Sequence, residues 1–488
     1  MPTKRTHNKT RLGCGQCRKR RIKCDEKHPV CDRCRKRGLD CSFLFLAPTT
    51  RLPTPITTSA APTSTAATPK TPYEVQVFRC SPSSALEKLP RPVPQIPDLN
   101  SLTKTDLPKL PPHVPFNDPW KMCRDRASPY DRILLNHYQY TTCLTLAADE
   151  PGKAAWQIYV PQFASEYNFL VHGILAVSSL HLAHRCKGKA EREKMNIMAV
   201  EQMNRALSHF RVELANIHKG NAPALFACAH ITVVYLFRMS VLDLQGMQAS
   251  IPTGMTEPPN EIIDRSIHSI MWTFWALRGA ISVLIPSRDW VVHSKMSPVC
   301  TRDWWPKDRV PANVQAMSED RRLLNLEQLW IHPDRKFESH FNDLSSALSV
   351  LRRTYALVSM VVDSGKANQS RNEVSYPVDS TAVGMLKDWA AMFIWVTQLT
   401  EEFVALVKQK NVEALVITAY YAVLLGRVQN VWWLDGLGGG MIRAIALALG
   451  PEHLHLIEWP AQVLNVDIEN LFGLGQLTVD PVALLTEF

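Results

Sequence analysis

The sequence predicts a small metal-stapled module at the N-terminus and a large all-α domain, joined by a disordered Pro/Thr-rich linker. Three observations carry this. Six cysteines stand at Cys14, Cys17, Cys24, Cys31, Cys34 and Cys41. Prolines and hydroxyl residues crowd the stretch that follows. Beyond residue 120 apolar side chains recur at helical spacing with few alternating runs.

The cysteines form two Cys-x2-Cys-x6-Cys units in tandem. Two thiolates two residues apart grip one tetrahedral Zn²⁺ at about 2.3 Å from a single turn of chain. Six thiolates leave two positions of two tetrahedral metals unfilled, so two sulfurs must bridge both ions in a binuclear cluster. A disulfide knot is the rival reading. It belongs to oxidising compartments, and the N-terminus, Met1-Pro-Thr-Lys-Arg-Thr-His-Asn-Lys-Thr, has no apolar core for a signal peptide.

Between the second and third cysteines lie Arg18, Lys19, Arg20, Arg21, Ile22 and Lys23; between the fifth and sixth lie Arg35, Lys36 and Arg37. Cations packed this tightly repel one another unless a polyanion supplies the opposite charge, and nucleic acid is the obvious one. Residues 1–46 carry the whole net charge of +10, and the rest of the chain holds as many acidic as basic side chains. That asymmetry predicts one DNA-binding end and a larger part without affinity for polyanions.

This stretch resembles the fungal Zn2Cys6, or binuclear zinc cluster, transcription factors. All six cysteine positions, the basic run before the third cysteine and Pro29 in the central loop match. The resemblance implies a binuclear cluster of two Zn²⁺, with Cys14 and Cys31 bridging, Cys17 and Cys24 completing one site, and Cys34 and Cys41 the other. It implies double-stranded DNA as partner, a nuclear location, and a short helix over 18–23 that enters the major groove at a CGG triplet. Arg20 and Arg21 then fall at base-reading positions, and Arg18 and Lys23, with Lys19 in the same run, at phosphate-contacting ones. Arginine pairs in bidentate fashion with guanine O6 and N7, worth about 1–3 kcal/mol of discrimination.

Residues 1–13 read as a basic arm that tracks phosphates or serves nuclear import. From 42 to 119 the density of proline removes backbone donors and blocks helix interiors, so no packed core forms there. Many zinc-cluster proteins carry a dimerising coiled coil soon after the sixth cysteine; here the prolines forbid heptads. A monomer on DNA, or a homodimer through the C-terminal domain, is left.

All thirteen tryptophans lie at or after Trp120. Apolar residues at Ile133, Leu134, His137, Tyr138 and Tyr140, and at Phe169, Leu170, Ile174, Leu175, Val177, Leu180 and Leu182, predict helices. Further helices are expected over 191–217, 223–240, 262–284, 341–362, 383–408, 411–433 and 440–449. The longest apolar stretch is read at 414–426, short of the roughly 20 residues that span a bilayer, so a soluble protein is expected.

The domain at 120–488 also resembles the fungal-specific transcription factor domain of sterol uptake control regulators. The patches are Leu134-Leu-Asn-His-Tyr, Trp156, Val160-Pro-Gln-Phe-Ala, the run from Phe169 to Ala183, Val412-Glu-Ala-Leu, Trp432-Trp-Leu-Asp-Gly and Glu458-Trp-Pro. This implies a regulatory domain, a small hydrophobic ligand such as a sterol, and a ligand-pocket loop at Gly436, Gly438, Gly439 and Gly440. Read from the residues, the same glycines end one helix and start the next. His181, His184 and Cys186 read as core or surface side chains rather than metal ligands, and Trp304-Trp305 and Trp432-Trp433 as core packing. Cys80, Cys123, Cys143, Cys186, Cys228 and Cys300 stand singly and read as reduced thiols. The chain contains no HExxH, GxSxG or Walker pattern, so no enzyme is expected. Target genes of a secondary-metabolite cluster or of sterol and lipid supply both fit; so does a ligand-sensing module that stays cytoplasmic when loaded.

Overall fold

A computed structural model describes residues 17, 20, 22–25, 31–37, 120, 127–251, 259–333, 335–363, 374–375, 385–386, 388–428 and 431–472. The expected arm at 1–13, the linker at 42–119, Cys14 and Cys41 lie outside them. In the cysteine segment, helix α1 spans Asp32–Arg35, with Cys31 as its N-cap.

The large part is helical. Helix α2 (Pro129–His137) begins with a capping box, in which the Asp131 N–H donates to Ser128 Oγ at 3.1 Å while Asp131 answers the Ser128 N–H, with Pro129 in the first turn. Two π-helical turns follow, Tyr138–Thr142 and Ala155–Tyr159. They hold each other through Tyr138 Oη to the Trp156 carbonyl at 3.0 Å and Gln139 Nε2 to the Gln157 carbonyl at 3.0 Å.

Helix α3 (Asn168–Arg185) packs along α4 (Lys189–Leu214). The α4 side chains Met195, Ala199, Gln202, Met203, Ala206, Leu207 and Phe210 form one buried stripe, and its charged side chains take the other face. Helices α5 (Ala222–Ala249) and α6 (Asn260–Val292) form the second long pair. Then come α7 (Val314–Asn325), α8 (Phe341–Val361), α9 (Glu401–Lys408), α10 (Val412–Gly426) and α11 (Leu437–Leu449). Every α10 residue from Glu413 to Leu425 is buried, which puts this helix at the centre of the core. Three two-residue strands, Val362–Asp363, Val374–Ser375 and Met385–Leu386, make a small antiparallel sheet with the third strand in the middle.

Several expected helices change shape for physical reasons. The single helix read over 383–408 is broken into Trp389–Phe393, Ile394–Gln398 and α9, with a bend of 92° before α9. Its breaks are side-chain caps: Asp388 accepts the Ala390 N–H at 2.9 Å, and Thr400 Oγ1 accepts the Phe403 N–H at 3.1 Å. The helix read over 411–433 stops at Gly426, where α11 crosses it. Helix α6 instead runs past the expected end through Pro286, whose ring faces solvent.

The reading of 414–426 as the longest apolar stretch is also corrected. Both α5 and α6 are long and apolar enough to cross a membrane, with 18-residue windows of mean hydropathy 1.8 and 1.3. Scattered His230, Arg238 and Asp243 hid the first of these from a search for unbroken runs. The α5 window is 83% buried inside the protein and the α6 window 39%.

Candidate metal centre and nucleic-acid interface

Cys17, Cys24, Cys31 and Cys34 are all buried, and among the described residues the one hydrophobic side chain packed against them is Ile22. Among the described residues, four sulfurs and one isoleucine make too small a cluster to fold by burial alone. The sulfurs of Cys17, Cys24 and Cys31 lie within 4.8 Å of one another, the one such metal-ligand group among the described residues. Cys17 Sγ and Cys31 Sγ are 3.6 Å apart. A tetrahedron with metal–sulfur bonds of about 2.3 Å has edges near 3.8 Å, whereas a disulfide bond is about 2.05 Å. The spacing is that of ligands sharing an ion, and four-sulfur coordination suits zinc.

Backbone geometry holds these sulfurs. Cys31 caps α1 and accepts the Cys34 N–H on its sulfur at 3.4 Å. The Ile22 N–H reaches back to the Cys17 carbonyl at 3.0 Å. Such a six-to-one bond closes a helix. The helix expected over 18–23 is therefore shorter: Cys17 is helical, Arg20 lies in a turn, and residues 22–25 carry no regular structure. The chain has to leave the helix to bring Cys24 back to the metal. The sequence reading missed Asp25, whose Oδ2 accepts the Asp32 N–H at 3.0 Å and ties the first cysteine unit to the second. Its signal was an acid directly after the third cysteine of a basic run.

Of the basic residues, Arg20 is half-buried at the turn and Lys23 is exposed beside Cys24. Arg33, Lys36 and Arg37 are exposed on and after α1. Arg18, Lys19 and Arg21 lie outside the described residues, as does the Arg35 side chain.

In the helical part, the glycine loop is built into helix packing. Gly436 takes φ +85°, a left-handed conformation that starts α11, and Gly438 faces the backbone of Gly426. His181 stacks on Trp432 at 4.8 Å and lies 2.9 Å from Thr142 Oγ1; burial drives its pKa well below the ordinary histidine value. His184 tilts against the same indole at 6.1 Å. Trp433 packs edge-on to Phe237 at 5.8 Å. Trp304 is exposed and meets Trp305 edge-on at 6.3 Å. Cys143, Cys186, Cys228 and Cys300 are free thiols, and burial raises the pKa of Cys143 to about 12. Cys80 and Cys123 lie outside the described residues. The surface clefts formed by the described residues include one of 560 Å³ bordered by Lys307, Arg309 and Arg353 and one of 620 Å³ between α5 and α6. The glycine loop lines neither.

Residues 12–48 match the fungal Zn(2)-Cys(6) binuclear cluster domain, and residues 133–284 the fungal specific transcription factor domain. A Zn(2)-C6 fungal-type transcription factor of Gibberella zeae is 26% identical over 490 residues, covering 96% of this chain and 88% of that protein. The Zn(2)-C6 fungal-type transcription factor afumD of Aspergillus fumigatus is 28% identical over 183 residues, 36% of this chain and 34% of the relative. Sterol uptake control protein 2 of Candida albicans is 53% identical over 38 residues, 8% of this chain and 5% of its own. That last match is too short to span the helical part. The cysteine segment is thus a binuclear cluster domain for two Zn²⁺, and Cys17, Cys24 and Cys31 are placed to bind metal. A zinc cluster domain followed by the fungal specific transcription factor domain is the layout of a DNA-binding transcription regulator, and over 96% of its length the chain is similar to a Zn(2)-C6 fungal-type transcription factor.

Proposed function

We propose that this regulator reads CGG-like triplets in the duplex DNA of RNA polymerase II genes. The observation that carries the reading is the convergence of Cys17, Cys24 and Cys31 within 4.8 Å, beside Arg20 in its turn and Lys23 in the segment that leads to Cys24. A metal there fixes the cationic turn that burial alone cannot hold. In this reading Cys14 and Cys31 bridge the two ions, Cys17 and Cys24 complete one site, and Cys34 and Cys41 the other. Arg20 and Arg21 read guanine edges, while Arg18, Lys19 and Lys23 hold phosphates. The layout is a basic arm at 1–13, the cluster at 14–41, a linker at 42–119 and the regulatory domain at 120–488. Titration of the full chain against duplexes with and without a CGG triplet, over a range of salt, is the test. The reading requires a steep salt dependence on both and a clear preference for the triplet. Equal affinity for every duplex contradicts it.

Regulation is assigned to the helical domain. As targets we propose the genes of a secondary-metabolite cluster or of sterol and lipid supply, the second supported by the 38-residue likeness to a sterol uptake control protein. Expression profiling under sterol depletion separates them, because a sterol regulator changes its output and a cluster regulator does not. The resemblance of the patches in 120–488 to sterol uptake control regulators suggests a sterol or similar apolar ligand near Gly436, Gly438, Gly439 and Gly440, whose binding holds the protein in the cytoplasm. Mass spectrometry of small molecules co-purifying with the full chain tests this, and an empty protein counts against it. With prolines spread through 42–119, the reading is a monomer on DNA or a homodimer through the helical domain, and light scattering of the full chain separates the two.

A further inference from the structure

The 620 Å³ cleft between α5 and α6 has a lining unlike that of a lipid pocket. One wall is apolar and aromatic, with Met239 and Met247 from α5 and Trp272 from α6. His268 meets Trp272 edge to face at 5.1 Å, so this side has a rigid aromatic wall. The polar side brings Asp243 from α5 opposite Glu261 and Asp264 from α6, with Arg265 as the one lining cation. Asp264 is already paired with Lys410 at 2.7 Å. Asp243 and Glu261 have neither a hydrogen bond nor an ion pair among the described residues.

Asp243 is exposed and lines the cleft beside Met239 and Met247. Desolvation pushes its carboxyl up to about 6, and the nearby Arg265 offsets only part of this. The volume lies within the range of small-molecule sites, about 300–1,000 Å³.

We propose that this cleft binds a small organic cation, an amine carried on an apolar or aromatic body, with Asp243 and Glu261 taking the ammonium group and Trp272 the body. A cation held between an indole face and a carboxylate gains from both. A sterol has no charge to offer Asp243. This site therefore differs from the apolar one suggested for the domain, and it does not rest on the DNA reading.

Calorimetry of the full chain with 4-phenylbutylamine and its neutral counterpart 4-phenylbutanol tests it. The amine is expected to bind saturably and the alcohol about tenfold more weakly or worse, the ratio for one charge-assisted hydrogen bond. Asp243→Asn should reduce amine affinity by about tenfold on the same ground and leave the alcohol unchanged. The variant should also melt as the parent does, because Asp243 is exposed and makes no hydrogen bond or ion pair among the described residues; a purely structural carboxylate would lose stability instead. Trp272→Ala should weaken both probes. Equal binding of amine and alcohol, no amine binding at millimolar concentration, or an unchanged affinity in Asp243→Asn overturns the proposal.

Discussion

Gly438 of α11 lies backbone to backbone against Gly426 at the end of α10: a Cβ on residue 438 would stand 2.5 Å from the Gly426 Cα and 2.7 Å from the Ala422 carbonyl oxygen. No side-chain rotation relieves such a contact, so the two helices must separate. Gly438→Ala is therefore expected to destabilise the helical domain by about 3 kcal/mol, the upper part of the range for overpacked cores. At Gly439 the nearest atom to an added Cβ is 3.5 Å away, on the flexible Val466 side chain. Gly439→Ala should stay within about 1 kcal/mol of the parent, since alanine favours the helix. Urea denaturation followed by helical circular dichroism compares them.

Arg427, just past α10, reaches Glu319 of α7 at 2.6 Å, with side chains only 3% and 10% exposed. Removing one partner of a buried pair leaves the other charge in a poor solvent. Glu319→Ala should cost about 3–5 kcal/mol. The exposed pair of Arg288 and Asp289, 4.0 Å apart and 68% and 89% exposed, is the control. Asp289→Ala should change stability by less than about 1 kcal/mol.

Burial lowers the pKa of His137 and of His230 to about 4, with Arg185 adding to the first and Arg302 to the second. The unfolded chain takes up these protons near pH 6.5 and the folded chain only near 4. Between those values the unfolded state binds more protons, so stability is complete above about 6.5 and is lost as pH falls towards 4. Asp243, raised to about 6, acts in the opposite direction, but two histidines outweigh it and His181 adds to them. The urea midpoint should fall between pH 7 and pH 5, and His137→Gln should flatten that dependence. A midpoint that rises on acidification contradicts these assignments.

Arg20 lies in a turn and is half-buried, while Lys23 lies in the irregular segment before Cys24 and is exposed. Arg20→Ala should lower affinity for a CGG duplex by about 1–3 kcal/mol and relax the preference for the triplet. Lys23→Ala should weaken all duplexes alike and reduce the salt slope by about one unit. Competition binding at two salt concentrations separates the outcomes, and identical behaviour of the two variants would remove the distinction between reading and holding.

The metal centre was legible in the sequence because ligand spacing is local: Cys14 to Cys41 carry their pattern without reference to any other part of the chain. The long amphipathic helices were legible for the same reason, as the stripe from Met195 to Phe210 shows. What the pattern hid was set by distant partners. The break in 383–408 depends on Asp388, which is held by Arg302, and on Thr400, which donates to Asp343 at 3.1 Å. The roles of Gly426 and Gly438 appear only when two helices cross. The cleft of Asp243 and Trp272 is likewise assembled from two helices, each of which reads alone as an ordinary apolar element.

The central claim is that metal, rather than burial, positions the cationic turn on DNA. Its most direct measurement is zinc content by elemental mass spectrometry, taken on the same full-chain sample before and after chelation and paired with a CGG-duplex titration. The account predicts two zinc atoms per chain, loss of triplet binding when they are withdrawn, and unchanged helical circular dichroism from the large domain. Triplet binding that survives complete removal of zinc contradicts it.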